Sequence, residues 1–292
     1  MELPNCRWRN TAVKHAKQFR CTHPRIHAQN QLVTGEMCSS CSLCEANDPA
    51  FSFLANGSEQ VPEKPVTLRH VQSWAVGVTT APRREPTLAR CLKSLAEAGW
   101  NEPRLFAEPS VETPANLPTS RRDVQLGAFP NWYLGLTELV LREPLADAYL
   151  MCQDDVLLAA SLRAYLERTL WPGERVGIVS AYRPSHYEQR GPGYQIEDRG
   201  WETWGALAYV FPNPSARALL ADPLVINHRH HGPASGMQNI DSVVGSWCLR
   251  SKMPYFVHVP SLAQHIGHTS TIWQSCQAAG PRRAAEFLER IE

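Results

Sequence analysis

Apolar positions along the chain fall into two spacings. Short continuous runs read as strands buried on both faces: Trp74-Ala75-Val76-Gly77-Val78-Thr79-Thr80, Ala148-Tyr149-Leu150-Met151-Cys152, residues 176–182, 206–211 and 255–259. Between them lie stripes spaced by three and four. Leu88, Cys91, Leu92 and Leu95 share one face of a helix over 87–98 that Gly99 closes, and Trp132, Leu134, Leu136, Leu139 and Val140 mark another over 131–142. Further helices are expected over 161–170 with Ser161 as N-cap, over 214–220 with Pro214 in its first turn, and over 240–250. Residues 104–107 make a short strand, while 108–118 and 191–200, rich in Pro or Gly, read as loops. Strands alternating with helices imply an α/β fold with a mainly parallel sheet flanked by helices.

This regularity is confined to part of the chain. Residues 49–70 lose periodicity and gain Pro, Gly, Ser and Asn, as a linker does. The expected organisation is therefore a Cys/His-rich module over 1–48, the linker, an α/β domain over 71–272 and a C-terminal helix over 273–292. Of nine cysteines, five precede residue 45, and Cys38-x-x-Cys41-x-x-Cys44 has the spacing with which thiolates grip one tetrahedral metal. Structural zinc held by Cys38, Cys41, Cys44 and Cys21 is the expected site. Cys6, His15, His23 and His27 are alternatives for the fourth ligand, and an iron–sulfur cluster is the alternative metal group. Cys91, Cys152, Cys248 and Cys276 sit singly in apolar segments and read as core thiols.

Charge narrows the partners. With a formal net charge of +1, the chain has no basic field to collect nucleic acid or an anionic membrane. No run of eighteen apolar residues occurs and the first twenty residues lack an apolar h-region, so the expectation is a cytoplasmic protein without a transmembrane segment. Gly-x-Gly-x-x-Gly, the P-loop and Gly-x-Ser-x-Gly are all missing from the sequence, against a dinucleotide fold, a P-loop ATPase and an α/β-hydrolase.

The chemistry concentrates at Gln153-Asp154-Asp155, two carboxylates at the end of a buried strand. Open α/β sheets bind ligands at the carboxyl ends of their strands. Adjacent carboxylates repel and lose hydration unless a cation or several donors satisfy them. A divalent ion carrying a nucleotide diphosphate would do so; a solvated strand-end turn is the bland alternative.

Val78-Thr79-Thr80-Ala81-Pro82-Arg83 before a helix, the acid pair, Trp201-Glu202-Thr203-Trp204-Gly205 and Gln264-His265-Ile266-Gly267-His268-Thr269-Ser270 follow one another as in nucleotide-sugar-dependent glycosyltransferases of the GT-A (Rossmann-like) fold. The closing Gln-His-x-Gly-x-x-Ser resembles, remotely, that of the branching N-acetylglucosaminyltransferases of N-glycan synthesis. The resemblance implies transfer of a hexosyl or N-acetylhexosaminyl group to a glycan, lipid or protein hydroxyl, assisted by Mn2+ or Mg2+ and inverting. It implies Asp155 and His265 as metal ligands and Thr79, Thr80, Arg83 and Asp154 at the donor. It implies further Trp201, Glu202 and Trp204 at the acceptor, and Asp241 as the base, with a pKa kept low by its helix start. Gln-Asp-Asp departs from the family's Asp-x-Asp, which puts metal dependence in question. A nucleotidyltransferase, or a non-catalytic binding protein that recruits a partner through its Cys/His module, are the alternative readings.

Overall fold

The computed structural model describes residues 68, 70–188, 191–228, 239–268, 282–284 and 286–291, together with the backbone of 9–15, 18–21 and 32–34. The chain divides into two units, Met1–Pro65 with Asn227–Met237, and Val66–Ile226 with Gln238–Glu292. In the first, β1 (Arg9–His15), β2 (Gln18–Cys21) and β3 (Leu32–Thr34) form an antiparallel sheet in that order. Cys38, Cys41, Cys44 and the side chain of Cys21 lie outside the described residues.

The second unit is a mixed α/β layer structure. Its first strands and helices are β4 (Trp74–Thr80), α1 (Leu88–Ala98), β5 (Arg104–Ala107), β6 (Thr119–Arg121), α2 (Ala128–Arg142), β7 (Ala148–Gln153), β8 (Val156–Leu158) and α3 (Leu162–Thr169). There follow β9 (Ile178–Ser180), β10 (Gly193–Ile196), β11 (Ala208–Pro212), α4 (Asn213–Ala221), α5 (Ile240–Arg250), β12 (Tyr255–Val259) and β13 (Ala263–His265). Eight strands form one sheet in the order β10-β12-β9-β11-β7-β4-β5-β6, and β13 pairs with β8 in a separate two-stranded ribbon. β6, β5, β4 and β7 run parallel, as do β9 and β12, whereas β11 runs antiparallel to both its neighbours and β10 to β12. The sheet is thus less uniformly parallel than the strand–helix alternation predicts.

Alternation along each strand sorts the core into two layers. On β7, Ala148, Leu150 and Cys152 face one cluster, with Cys91 and Leu95 of α1 and Leu162 and Leu166 of α3. Tyr149 and Met151 face the other, with Trp132, Leu136 and Leu139 of α2 and Val244 and Trp247 of α5. Burying each such large apolar side chain contributes about 1.5–3 kcal/mol. Packing is close at Gly77 in β4, where a Cβ would lie 2.7 Å from the Phe106 ring and 2.9 Å from Met151 Sδ. α1 ends as its sequence predicts: Gly99 is left-handed (φ 111°) and donates its N–H to Ala96 O. Cys91, Cys152 and Cys248 are buried free thiols, and burial pushes each pKa up.

Several local expectations give way. Ser161 does not cap α3 with its side chain; it takes φ 64°, and its N–H is spent on Glu97 O. Part of the expected loop over 191–200 is β10, an edge strand with only part-buried or exposed side chains and hence no apolar alternation to betray it. Residues 282–284 and 286–291 form no helix, since their backbone partners lie elsewhere, while 273–281 and 285 of the expected helix lie outside the described residues. Ser261 donates to Glu286 O, Leu288 to Ser261 O and Ala160 to Glu289 O. Among the described residues no helix is long and apolar enough to cross a membrane.

Candidate active site

Strand order reverses between β4 and β7: the chain builds outward from β4 through β5 to β6, then returns to β4's other side as β7. Ligands of open α/β sheets sit at such a switch point, beyond the carboxyl ends of the strands. A cleft of about 270 Å³ opens there, lined by Thr79 and Thr80 at the end of β4 and Arg83 beyond it, Gln153 at the end of β7 and Asp154 beyond it, and Ile240 at the start of α5.

The acid pair lies beside it, with Asp154 in its lining. β7 ends at Gln153 and the chain turns, so that both acids, rather than alternate ones, reach the same arginine. Arg83 donates from Nε (2.7 Å) and Nη2 (2.6 Å) to Asp154 Oδ1 and from Nη1 to Asp155 Oδ2 (3.0 Å). Thr80 donates its hydroxyl to Asp154 Oδ2 at 2.6 Å. Asp154 and Asp155 are 2% and 5% exposed, so these contacts replace water rather than add to it.

A second ladder brings His265 to the pair. β13 pairs antiparallel with β8 in the register His265↔Val156, and Ile266 donates its N–H to Asp155 O at 2.9 Å. His265 Nε2 then lies 3.1 Å from Asp155 Oδ2. An ionised carboxylate has no hydrogen to give, so Nε2 is the donor and a neutral ring is left with a bare lone pair on Nδ1. Nδ1 and Asp155 Oδ1 are both buried without a hydrogen-bond partner. Burial pushes both carboxyls up. At Asp155 the His265 hydrogen bond and the Arg83 charge overcome it and hold the carboxyl down at about 2. At Asp154 burial prevails over Arg83, with the Asp155 charge adding to it, and the carboxyl lies above its ordinary value.

Asp155 and His265 fit a divalent cation as two of its ligands. Asp155 Oδ2 and His265 Nε2 stand 3.1 Å apart, as two neighbouring ligands of one ion would, and with its proton on Nδ1 the ring would turn the Nε2 lone pair to that ion. Gly267 keeps space beside them, since a Cβ there would stand 2.8 Å from Asp155 Oδ2 and 3.2 Å from His265 Nε2. Among the described residues no group of three or more His, Cys, Asp and Glu gathers as a metal site, so further ligands would come from outside that set of side chains.

A second buried acid, Asp241, follows Ile240, the cleft residue at the start of α5. Asp241 accepts the N–H of Gly205 on Oδ2 (2.9 Å) and of Ser242 on Oδ1 (3.0 Å). Burial lifts its pKa above the ordinary aspartate value against these hydrogen bonds, contrary to the low value expected from the helix start. Gly205 is left-handed (φ 100°), and a Cβ on it would meet the Tyr182 ring at 2.5 Å, so the turn admits only glycine. The preceding Trp204 is 49% exposed, its backbone fixed by the Tyr187 hydroxyl (2.8 Å to its N–H) and its ring edge-on to His186 at 4.9 Å. Trp201 and Glu202 sit in the short 3-10 turn Gly200–Glu202, with Trp201 partly buried and Glu202 exposed. Thr79, Thr80, Arg83, Asp154, Asp155 and His265 are thus brought together, while Trp204 joins Asp241 through Gly205.

Two further residues belong to the cleft. Glu108, 2% exposed, accepts the N–H groups of Leu126 and Gly127, both at 2.9 Å, and holds the start of α2. Asn131, also 2% exposed, donates to Phe106 O (3.0 Å) and accepts from Arg122 Nε (2.8 Å). Both line the cleft beside Gly127. Glu108 follows a strand's carboxyl end and Asn131 interrupts an apolar helix face, which are the signals that mark them in the sequence.

No protein-family model matches the chain, and no curated protein matches it. Among solved structures it is similar to the crystal structure of GalNAc-T7 with UDP, GalNAc and Mn2+, at 10% sequence identity and a TM-score of 0.49. The similarity covers 73% of this chain and 46% of that one, so the chain spans less than half the length of the structure it resembles.

Proposed function

We propose that the chain is a nucleotide-sugar glycosyltransferase of GT-A type that transfers a hexosyl or N-acetylhexosaminyl group to a hydroxyl acceptor with inversion. The observation that carries the reading is the buried Asp154–Asp155 pair, clamped by Arg83 and adjoined by His265, beside a switch-point cleft that Arg83 and Asp154 line. Thr79, Thr80, Arg83 and Asp154 bind the donor nucleotide. Asp155 and His265 would hold a divalent cation, which when bound supplies positive charge against the departing diphosphate.

Trp204, with Trp201 and Glu202 behind it, offers the acceptor an aromatic face and a carboxylate. Asp241 orients the acceptor hydroxyl and takes its proton as the oxygen bonds to the anomeric carbon; the bond to the diphosphate breaks and its electron pair leaves with the phosphate. Desolvation suits this role, because a raised pKa makes Asp241 a stronger base than an exposed aspartate. A nucleotidyltransferase would use the same cleft but has no use for an exposed tryptophan fixed beside a buried aspartate, which favours glycosyl transfer.

The test is a thermal-shift screen with UDP-, GDP-, CMP- and dTDP-sugars, each with and without Mn2+. Binding to the folded state raises its melting temperature in proportion to the logarithm of ligand over Kd. One class of donor is expected to raise it; no response to any of the four removes the reading.

A further inference from the structure

Arg83 is placed where it must choose between partners. Its guanidinium spans both acids, with three nitrogens within 3.0 Å of carboxylate oxygens, and its side chain is 10% exposed against 3% and 7% for the carboxylates. Two carboxylates share one arginine, and the charge of Asp155 extends to Oδ1, which is buried and unpartnered. A divalent ion drawn by that charge meets the Arg83 cation already seated on Asp155 Oδ2. The same planar fork matches phosphate oxygens as well as carboxylates, and Arg83 stands on a non-helical loop that lines the cleft.

We propose that Arg83 makes the acid pair an anion-gated cation site: it excludes divalent metal from Asp155 while the cleft is empty, and a bound diphosphate, by drawing the guanidinium to itself, opens the carboxylate to metal. The inference rests on the proposed function only in taking a diphosphate as the anion. Binding linkage is reciprocal, so metal on Asp155 in turn strengthens the hold of Arg83 on the diphosphate. In this scheme Arg83 sets the cation preference of the site; it does not transfer a group.

The experiment measures Mn2+ binding to the full chain without nucleotide, from the electron paramagnetic resonance signal of free Mn2+. Arg83→Gln, which removes the competing charge, is expected to bind Mn2+ about 10-fold more tightly than wild type, within the 5- to 150-fold range of such couplings. Asp155→Asn in the Arg83→Gln background should abolish the gain, which locates it at the pair. Arg83→Lys keeps the charge but not the fork and is expected to fall between.

Melting curves keep the test decisive where Arg83→Gln is destabilised by its two uncompensated acids. Mn2+ should then restore its melting temperature by more than it raises that of wild type. Inorganic pyrophosphate, the probe for the diphosphate, chelates Mn2+ equally for both proteins, so the affinity ratio between Arg83→Gln and wild type isolates the gate. That ratio should shrink towards one at saturating pyrophosphate. Equal or weaker Mn2+ binding by Arg83→Gln overturns the exclusion, and a ratio unmoved by pyrophosphate overturns the gating. Neither result depends on whether any nucleotide-sugar binds, so failure of the donor screen is separately visible.

Discussion

The two poles of the cleft differ in what satisfies their carboxylates. Asp154 and Asp155 are met by side chains, namely Arg83 and Thr80 from the end of β4 and its loop, and His265 from β13. Among the described residues Asp241 takes its hydrogen bonds from backbone N–H groups, one its neighbour's and the other at a turn that admits only glycine, with the Arg282 charge acting from farther off. A carboxylate held by a cation is poised to trade one cation for another. A carboxylate held by neutral dipoles keeps its charge and pays for burial in raised basicity. The first arrangement suits electrostatic exchange and the second suits proton transfer.

The contrast breaks most sharply at Asp155. Asp155→Ala removes the charged ligand, and metal-dependent binding of a nucleoside diphosphate should disappear while the far-ultraviolet circular dichroism stays native. Calorimetry that returns wild-type affinity in Mn2+ would put the metal elsewhere. Next in size is Asp241→Asn, which keeps the shape and one acceptor oxygen but removes the base. Turnover should fall by roughly 10²- to 10⁴-fold with donor affinity nearly unchanged. Wild-type turnover, or a product that retains the donor's anomeric configuration, would reduce Asp241 to a clamp on Gly205.

A smaller effect separates the poles by pH. The Asp155 carboxyl lies at about 2, below its unfolded value of about 3.9. Its contribution to stability is therefore fully present above pH 4 and is lost as pH falls through 2, and it amounts to roughly 2–3 kcal/mol. Asp241, raised by burial, contributes in the opposite sense: its penalty is relieved as it protonates. Urea midpoints between pH 2 and 5 should show a shallower acid loss in Asp155→Asn and a steeper one in Asp241→Asn; parallel curves for all three proteins would contradict the assigned shifts. Least of all, Trp204→Ala should weaken the acceptor by about 1 kcal/mol, under tenfold in KM, and leave donor binding alone. A loss of donor affinity of the same size would move Trp204 to the other pole.

Much of the first pole is legible in the sequence because it lies on the strongest periodic signal. β4 and β7 are unbroken apolar runs, and their ends give Thr79, Thr80, Arg83, Asp154 and Asp155 directly. That Arg83 takes both acids is not legible, since it depends on β7 ending at Gln153 rather than continuing its alternation. β8 and β13 are three residues each, too short for any period to register, so the sequence motif points to His265 while its path to Asp155 stays hidden. At the second pole, the helix start at Asp241 is visible, but the sign of its pKa shift follows from burial by Gly205 and its surroundings, which one-dimensional spacing does not carry. β10 and the described C-terminal residues escape because edge and tail residues are fixed by backbone partners rather than by an apolar face.

The β8–β13 ribbon has a consequence for the order of events in folding. Asp155 and His265 are 110 positions apart, and contacts so distant in sequence form only after the chain between them has closed its loop. On a ribosome β4 and β7 emerge and can pair long before β13 is synthesised, so the acid pair spends that interval with Arg83 and without His265. Arg83, 71 positions from Asp154, thus serves as the early chaperone of the two charges. The histidine arrives as the final piece of the site.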